Sequence, residues 1–230
     1  MSHRSKRYKK ALDSLDLTKA YSLEEALQAL YTVPTAKFDE TLEMAFRLGV
    51  DPKQSDQMIR GTVHLPHGSG KRVRVIVFTE SPSAALDAGA ELAGLEDLLV
   101  KIEGGWADFD VAIATTTAMK EVRRVSRILG PRGLMPNPKS GTVVELTAVA
   151  EAIHAVKAGR VEFKMDKTAN VSVAFGKRSF DLPKVIENAK AVLQVITKMT
   201  PPSFKGRRYI LNVSLSSTMS PALKLDKTLL

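Results

Sequence analysis

Asn212, Ser214 and Ser216 recur at every second position, alternating with the series Tyr209, Leu211, Val213 and Leu215. Short amides and hydroxyls donate and accept hydrogen bonds, but they have no flat ring to stack and form no metal-ligand set. The same grammar returns three times. Thr41, Glu43 and Arg47 alternate with Leu42, Met44, Phe46, Leu48 and Val50. Glu162 and Lys164 sit between Val161, Phe163 and Met165, while Asn170 and Ser172 interleave with Val171, Val173 and Phe175. A period of two predicts strands with one buried face and one open face. An antiparallel sheet can leave that second face in water.

The chain has 230 residues, 44% of them hydrophobic, enough for one large domain or two modest ones with real cores. Its net charge of +9 and pI of about 9.7 favour a polyanionic partner or an anionic membrane surface over an indifferently basic protein. It contains no cysteine, which excludes disulfides and thiolate metal sites and suits a reducing compartment. No apolar run approaches the roughly 20 residues that a membrane span needs; the chain is expected to have no membrane partner. The first ten residues carry Arg4, Lys6, Arg7, Lys9 and Lys10 without an acid. With no apolar stretch following, they read as a basic arm or a solvated tail, not a secretory signal.

In so basic a chain the open face is a candidate surface for nucleic acid. Its outward residues are Thr41, Glu43, Arg60, Thr62, Lys164, Asn170, Ser172, Asn212, Ser214 and Ser216. With no stacking ring among them, they suit 2′-hydroxyls, phosphate oxygens and a shallow minor groove, which predicts recognition of a structured RNA by shape. Glu43 fits as an acceptor for a 2′-hydroxyl or a base amine. Lys37 and Phe38, Lys167 and Thr168, and Thr218, Met219 and Ser220 flank the strands. Phe38 and Met219 either pack on sugars and bases or belong to the core.

Ser22 and Glu25 form a capping box that opens a helix to about Tyr31. Strands follow at 41–50 and 59–65. Beyond Pro66 the texture changes to alternating strands and helices: an apolar run at 73–78, helices at 83–90 and 95–103, a strand at 110–114, a helix on Ala118, Val122, Val125, Ile128 and Leu129, a Pro/Gly loop at 130–141, and a helix on Leu146, Val149, Ala150, Ile153 and Val156. After Gly159 one-sided strands return as a hairpin at 160–165 and 170–175, then a helix after Pro183 and the strand 209–216. The economical fold is a discontinuous α+β domain with an antiparallel sheet, 1–67 and 160–230, interrupted by an inserted α/β (Rossmann-like) domain, 68–159. Pro66, Gly68, Gly70 and Gly159 mark the crossings and read as a hinge.

No catalytic constellation emerges, and no cofactor or metal is expected. His64 and His67 flank a proline without ligand logic, and His154 reads as a packing residue. Gly68-Ser-Gly-Lys71 fails as a phosphate loop, because Arg72 stands where Ser or Thr is needed and the glycines precede a strand. Asp108 and Asp110 read as a solvated turn. Arg124, Arg127, Arg132 and Lys139, on a helix and the loop after it, form either a second electrostatic footprint or an ordinary solvated face. A nucleotide-binding α/β enzyme and a charge-driven nucleic-acid chaperone are the rival readings.

Several segments carry a resemblance: Thr35–Thr41, the loop Gly130–Lys139, Lys157–Phe163, Asp166-Lys-Thr168 and Ser217-Thr-Met219. In that order they resemble the bacterial family of the first large-subunit ribosomal protein. The resemblance implies two domains, one inserted in the other, in a cytoplasmic, ribosome-associated monomer. The partners it implies are the large-subunit rRNA stalk, exit-site tRNA and the protein's own mRNA leader, whose translation it would repress. It implies a main RNA site in the first domain, matched by Lys37, Phe38, Thr41, Glu43, Lys167, Thr168, Thr218 and Met219. One departure is Ser220, where the family usually has glycine, a residue that permits close approach or positive φ.

Overall fold

A computed structural model describes residues 4–226. Met1, Ser2 and His3 of the basic arm, and residues 227–230, lie outside them. The chain opens with helices α1 (Lys6–Asp13) and α2 (Leu23–Thr32), then strands β1 (Thr41–Leu48) and β2 (Arg60–His64). The middle runs β3 (Val75–Phe78), α3 (Pro82–Asp87), β4 (Leu92–Gly94), α4 (Glu96–Glu103), β5 (Val111–Thr115), α5 (Met119–Val122), α6 (Ser126–Leu129), β6 (Val143–Val144) and α7 (Val149–Lys157). It closes with β7 (Arg160–Lys164), β8 (Asn170–Lys177), α8 (Leu182–Lys198), β9 (Ile210–Ser217) and β10 (Leu223–Lys224). Two compact units result: the chain up to Gly70 joined with the chain from Gly159, and Lys71–Ala158.

In the first unit an antiparallel sheet has the order β10-β9-β1-β8, so both ends of the sequence meet on the central strand β1. The alternating residues supply one buried face: Leu42, Met44, Phe46, Val171, Val173, Phe175, Val213 and Leu215. Helices α2 and α8 pack against this sheet, with α2 opened by the Ser22–Glu25 capping box. The expected 160–175 hairpin is not a paired ladder. β7 pairs with β2 in a separate two-stranded sheet, and β8 pairs with β1. The chain changes sheets at Ala169, the one described non-glycine residue with positive φ (61°). A second correction concerns Leu211, which is 38% exposed instead of buried. A register shift sets Arg47 opposite Asn212 and Leu48 opposite Ile210, so Leu211 bulges out of the ladder.

The second unit has a parallel sheet of order β4-β3-β5-β6. Both of its faces are covered, which explains the unbroken apolar run of β3. Ile76, Phe78, Ala112 and Ala114 face α4 to α6, while Val75, Val77 and Ile113 face α7 and Ala85 of α3. The helix expected over 118–129 is two short α-turns around a 3-10 turn. Leu146 lies in a 3-10 turn before α7 and is exposed, as are Ala150 and His154 of α7, while Ala152 takes a core position. His154 is therefore not a packing residue. Asp108 and Asp110 are not a bare solvated turn either: Arg74 pairs with both, and Lys71 pairs with Asp110 at 2.6 Å.

At the crossings Gly68 and Gly159 have φ of 70° and 110°, and a Cβ on Gly159 would lie 2.4 Å from the Gly68 Cα. Only glycine permits that approach. The Leu65 amide donates to the Gly159 carbonyl at 3.2 Å. Buried Asn188 donates to the Gly68 and Phe175 carbonyls and accepts the His67 amide. Pro66 is exposed, and Gly70 has φ of 70°.

Candidate nucleic-acid interface

The face of the four-stranded sheet opposite the apolar core is a grid of small polar side chains. Its register sets Ala174, Glu43 and Ser216 in one row, Ser172, Ala45, Ser214 and Lys224 in the next, and Asn170, Arg47 and Asn212 in a third. Neighbours of Glu43 and Arg47 are short, so both long side chains stand clear. Among the described residues Glu43, Arg47, Ser172, Ser214 and Ser216 take no side-chain partner. The Asn212 Oδ1 is shielded from solvent and also unpartnered. Lys164 stands apart, on the β2–β7 sheet beside the Arg60–Glu162 ion pair and Thr62.

At one end of the grid lie Lys37, Phe38, Thr41, Thr218, Met219 and Ser220. Phe38 and Met219 are 53% and 48% exposed, so neither belongs to the core. Thr218 is already engaged: its hydroxyl accepts the Thr41 amide at 2.9 Å and donates to the Thr41 carbonyl at 3.3 Å. Lys177 donates to the Thr41 hydroxyl at 2.9 Å. Ser220 has no positive φ. Its hydroxyl accepts the Ser217 amide at 2.8 Å, so serine is accommodated by a hydrogen bond in place of glycine's freedom.

Glu40 builds this end, and periodicity gave no hint of it. The carboxylate is 1% exposed. Burial pushes its pKa up, but the Ser217 hydroxyl, the Ala36 and Met219 amides and the Arg178 charge outweigh burial and hold it below the usual range. Arg178 in turn donates to the Tyr31 and Val33 carbonyls. Arg7 of α1 donates to the Pro34 and Met219 carbonyls at 3.1 and 2.8 Å. The described part of the basic arm is thus a docked helix, and with Thr218, Met219 and Ser220 it lines a hollow of about 380 Å³.

The other end carries Lys167, Thr168 and Asn170. Asp166 accepts the Thr168 and Asn170 amides at 2.8 and 2.7 Å, and the Thr168 hydroxyl as well. The Asn170 amide, then burial's opposing effect, then the Thr168 hydroxyl leave its pKa lowered to about 2. That rigid turn exposes Lys167 and Thr168.

In the second unit Arg124, Arg127, Arg132 and Lys139 are all exposed, with Arg124 paired to Glu103 at 3.3 Å. The hollow at the carboxyl edge of the parallel sheet, about 270 Å³, is lined by Thr79, Glu80, Ser81, Thr115, Thr116, Thr117, Glu145 and Leu146. Two carboxylates and no cation make it a poor host for nucleotide phosphates. No metal-binding cluster of His, Cys, Asp and Glu occurs among the described residues. No described helix is long and apolar enough to cross a membrane.

Residues 27–221 match the model of the ribosomal protein L1p/L10e family. The chain is 52% identical over 228 residues to the large ribosomal subunit protein uL1 of Kosmotoga olearia, covering 98% of this chain and 97% of that one. The uL1 protein of Persephonella marina is 50% identical over 232 residues, with 98% and 95% covered. That of Bifidobacterium longum is 45% identical over 228 residues, covering 98% of each.

Proposed function

We propose that this chain, which belongs to the ribosomal protein L1p/L10e family and is a non-enzymatic structural constituent of the large ribosomal subunit, is present there as one copy and grips the rRNA stalk with its open sheet face. The observation that carries this reading is the grid itself. Uncommitted hydroxyls, one unpaired carboxylate and one unpaired guanidinium lie on a ring-free surface, flanked at one end by the exposed Phe38 and Met219 and at the other by Lys167 and Thr168. Short hydroxyls reach sugars and phosphates; Glu43 accepts from a 2′-hydroxyl, which DNA lacks. Phe38 and Met219 cover a sugar or base at the edge.

In the same reading the exposed Arg124, Arg127, Arg132 and Lys139 meet exit-site tRNA. A stalk-like fold in the protein's own mRNA leader competes for the open face and represses translation. The chain crossings beside Gly70 and Gly159 act as the hinge. The hydrogen bond from Asn188 to the Gly68 carbonyl supports a pivot beyond Gly68, beside Gly70.

The deciding experiment is titration of a stalk RNA fragment against a scrambled RNA of equal length at fixed salt. Phe38→Ala should cost about 1–3 kcal/mol of stalk binding, the range of a lost stacking contact. Equal affinity for both RNAs, or an unchanged Phe38→Ala, overturns the proposal. Phe38 tests it more cleanly than Thr218, whose removal also breaks the hydrogen bonds to Thr41.

A further inference from the structure

The loop between α8 and β9 leads directly into the strand that carries Asn212, Ser214 and Ser216. Three of its residues, Lys205, Arg207 and Arg208, are cations within four positions. All three are exposed, and no carboxylate or hydrogen-bond partner engages their side chains among the described residues. The nearby Lys53 is exposed too.

This loop is held in shape. Phe204 meets Tyr209 edge-on, with centroids 5.8 Å apart at 67°. Gly206 folds back so closely that a Cβ would lie 2.5 Å from the Phe204 ring. The Tyr209 carbonyl accepts the Gly49 amide at 2.7 Å, which pins the loop to the end of β1. Between the loop and the turn after β1 lies a hollow of about 540 Å³, lined in part by Gln57, Ser203, Phe204 and Lys205. The Ser203 hydroxyl on its wall is shielded from solvent and has no hydrogen-bond partner. Asp51 also lines the hollow, but its carboxylate accepts the Lys53 amide at 3.0 Å.

We propose that the loop 203–208 is a second RNA contact of the first unit, holding sugar-phosphate backbone that runs off the Arg47–Asn212 end of the open face. The proposal rests on the reading of that face and extends it. The fixed loop presents three exposed, uncommitted cations, which suits phosphate oxygens and carries no base code. Continuity with β9 selects RNA over another anion, because a strand already on the grid would pass directly over these cations.

The test compares the full chain with its K205Q/R207Q/R208Q variant on the stalk fragment and on scrambled RNA, across a salt series. The variant should bind both RNAs more weakly, and its log–log salt slope should be shallower by about 2 to 3, roughly one per lost phosphate contact. The ratio of the two affinities should not move. R207K/R208K should restore the slope. If the triple variant fails to fold, Arg207→Gln alone should shift the slope by about 1. An unchanged slope overturns the proposal, as does a changed ratio at constant slope. If the unmodified chain shows no preference for the stalk fold, the reading of the face fails. The slope difference between chain and variant then still judges the loop on either RNA.

Discussion

Glu43 is the residue that a purely charge-driven surface would not contain. It stands unpaired between Ala174 and Ser216 on the face proposed to meet RNA. If it accepts a 2′-hydroxyl, Glu43→Ala should lower RNA affinity by about 1.5–3 kcal/mol while leaving DNA binding unchanged or stronger. Titrating matched RNA and DNA hairpins checks this, and a gain toward both polymers refutes it. Asp166 makes a different prediction. A depressed pKa means its contribution to the turn is complete above the usual carboxylate range, near 4, and is lost as pH falls toward about 2. Amide shifts of Thr168 and Asn170 followed by NMR should titrate with a midpoint near 2; a midpoint near 4 would mean the carboxylate holds nothing. The grid residues were legible because period two is local. Glu40 was not, because its partner Ser217 lies 177 positions away and buried carboxylates have no spacing signature.

At the scale of the elements, β1 holds the first unit together, pairing with β8 on one side and β9 on the other. Phe46 at its centre is 1% exposed, so Phe46→Ala should destabilise the chain by about 3–5 kcal/mol in denaturant titration. Leu211→Ser should cost far less than Phe46→Ala, because the bulge has already left that side chain 38% exposed. Alternation alone had placed Leu211 inside; a register shift leaves no trace in the pattern of one strand. Strand β4 was also illegible, as three residues ending in glycine carry no period. The hairpin at 160–175 misled for a related reason. Two adjacent one-sided strands look alike whether they pair with each other or with distant partners, and here they join different sheets on either side of the turn that ends at Ala169.

For the molecule as a whole, the proposed phosphate contacts over the grid and its two ends predict a steep salt dependence. With about 4–8 phosphates neutralised, the log–log slope is roughly −4 to −7, measurable by filter binding from low to moderate salt. A slope near zero would remove electrostatics from the account. The change of texture at Pro66 and again at Gly159 was legible because parallel and antiparallel sheets write different apolar patterns; the closeness of Gly68 and Gly159 was not, since nothing local reports it. The order β10-β9-β1-β8 also has a consequence for synthesis. When β1 leaves the peptide tunnel, both of its neighbours are still untranslated. At bacterial-type elongation speeds the wait for β8 is roughly 6–25 s. Throughout that interval Leu42, Met44, Phe46 and Leu48 have no ladder to shelter in, while the middle of the chain acquires the last of its own strands, β6, before β8 is made. The newborn protein therefore completes its middle unit before its outer one, and its most vulnerable moment belongs to the strand made first.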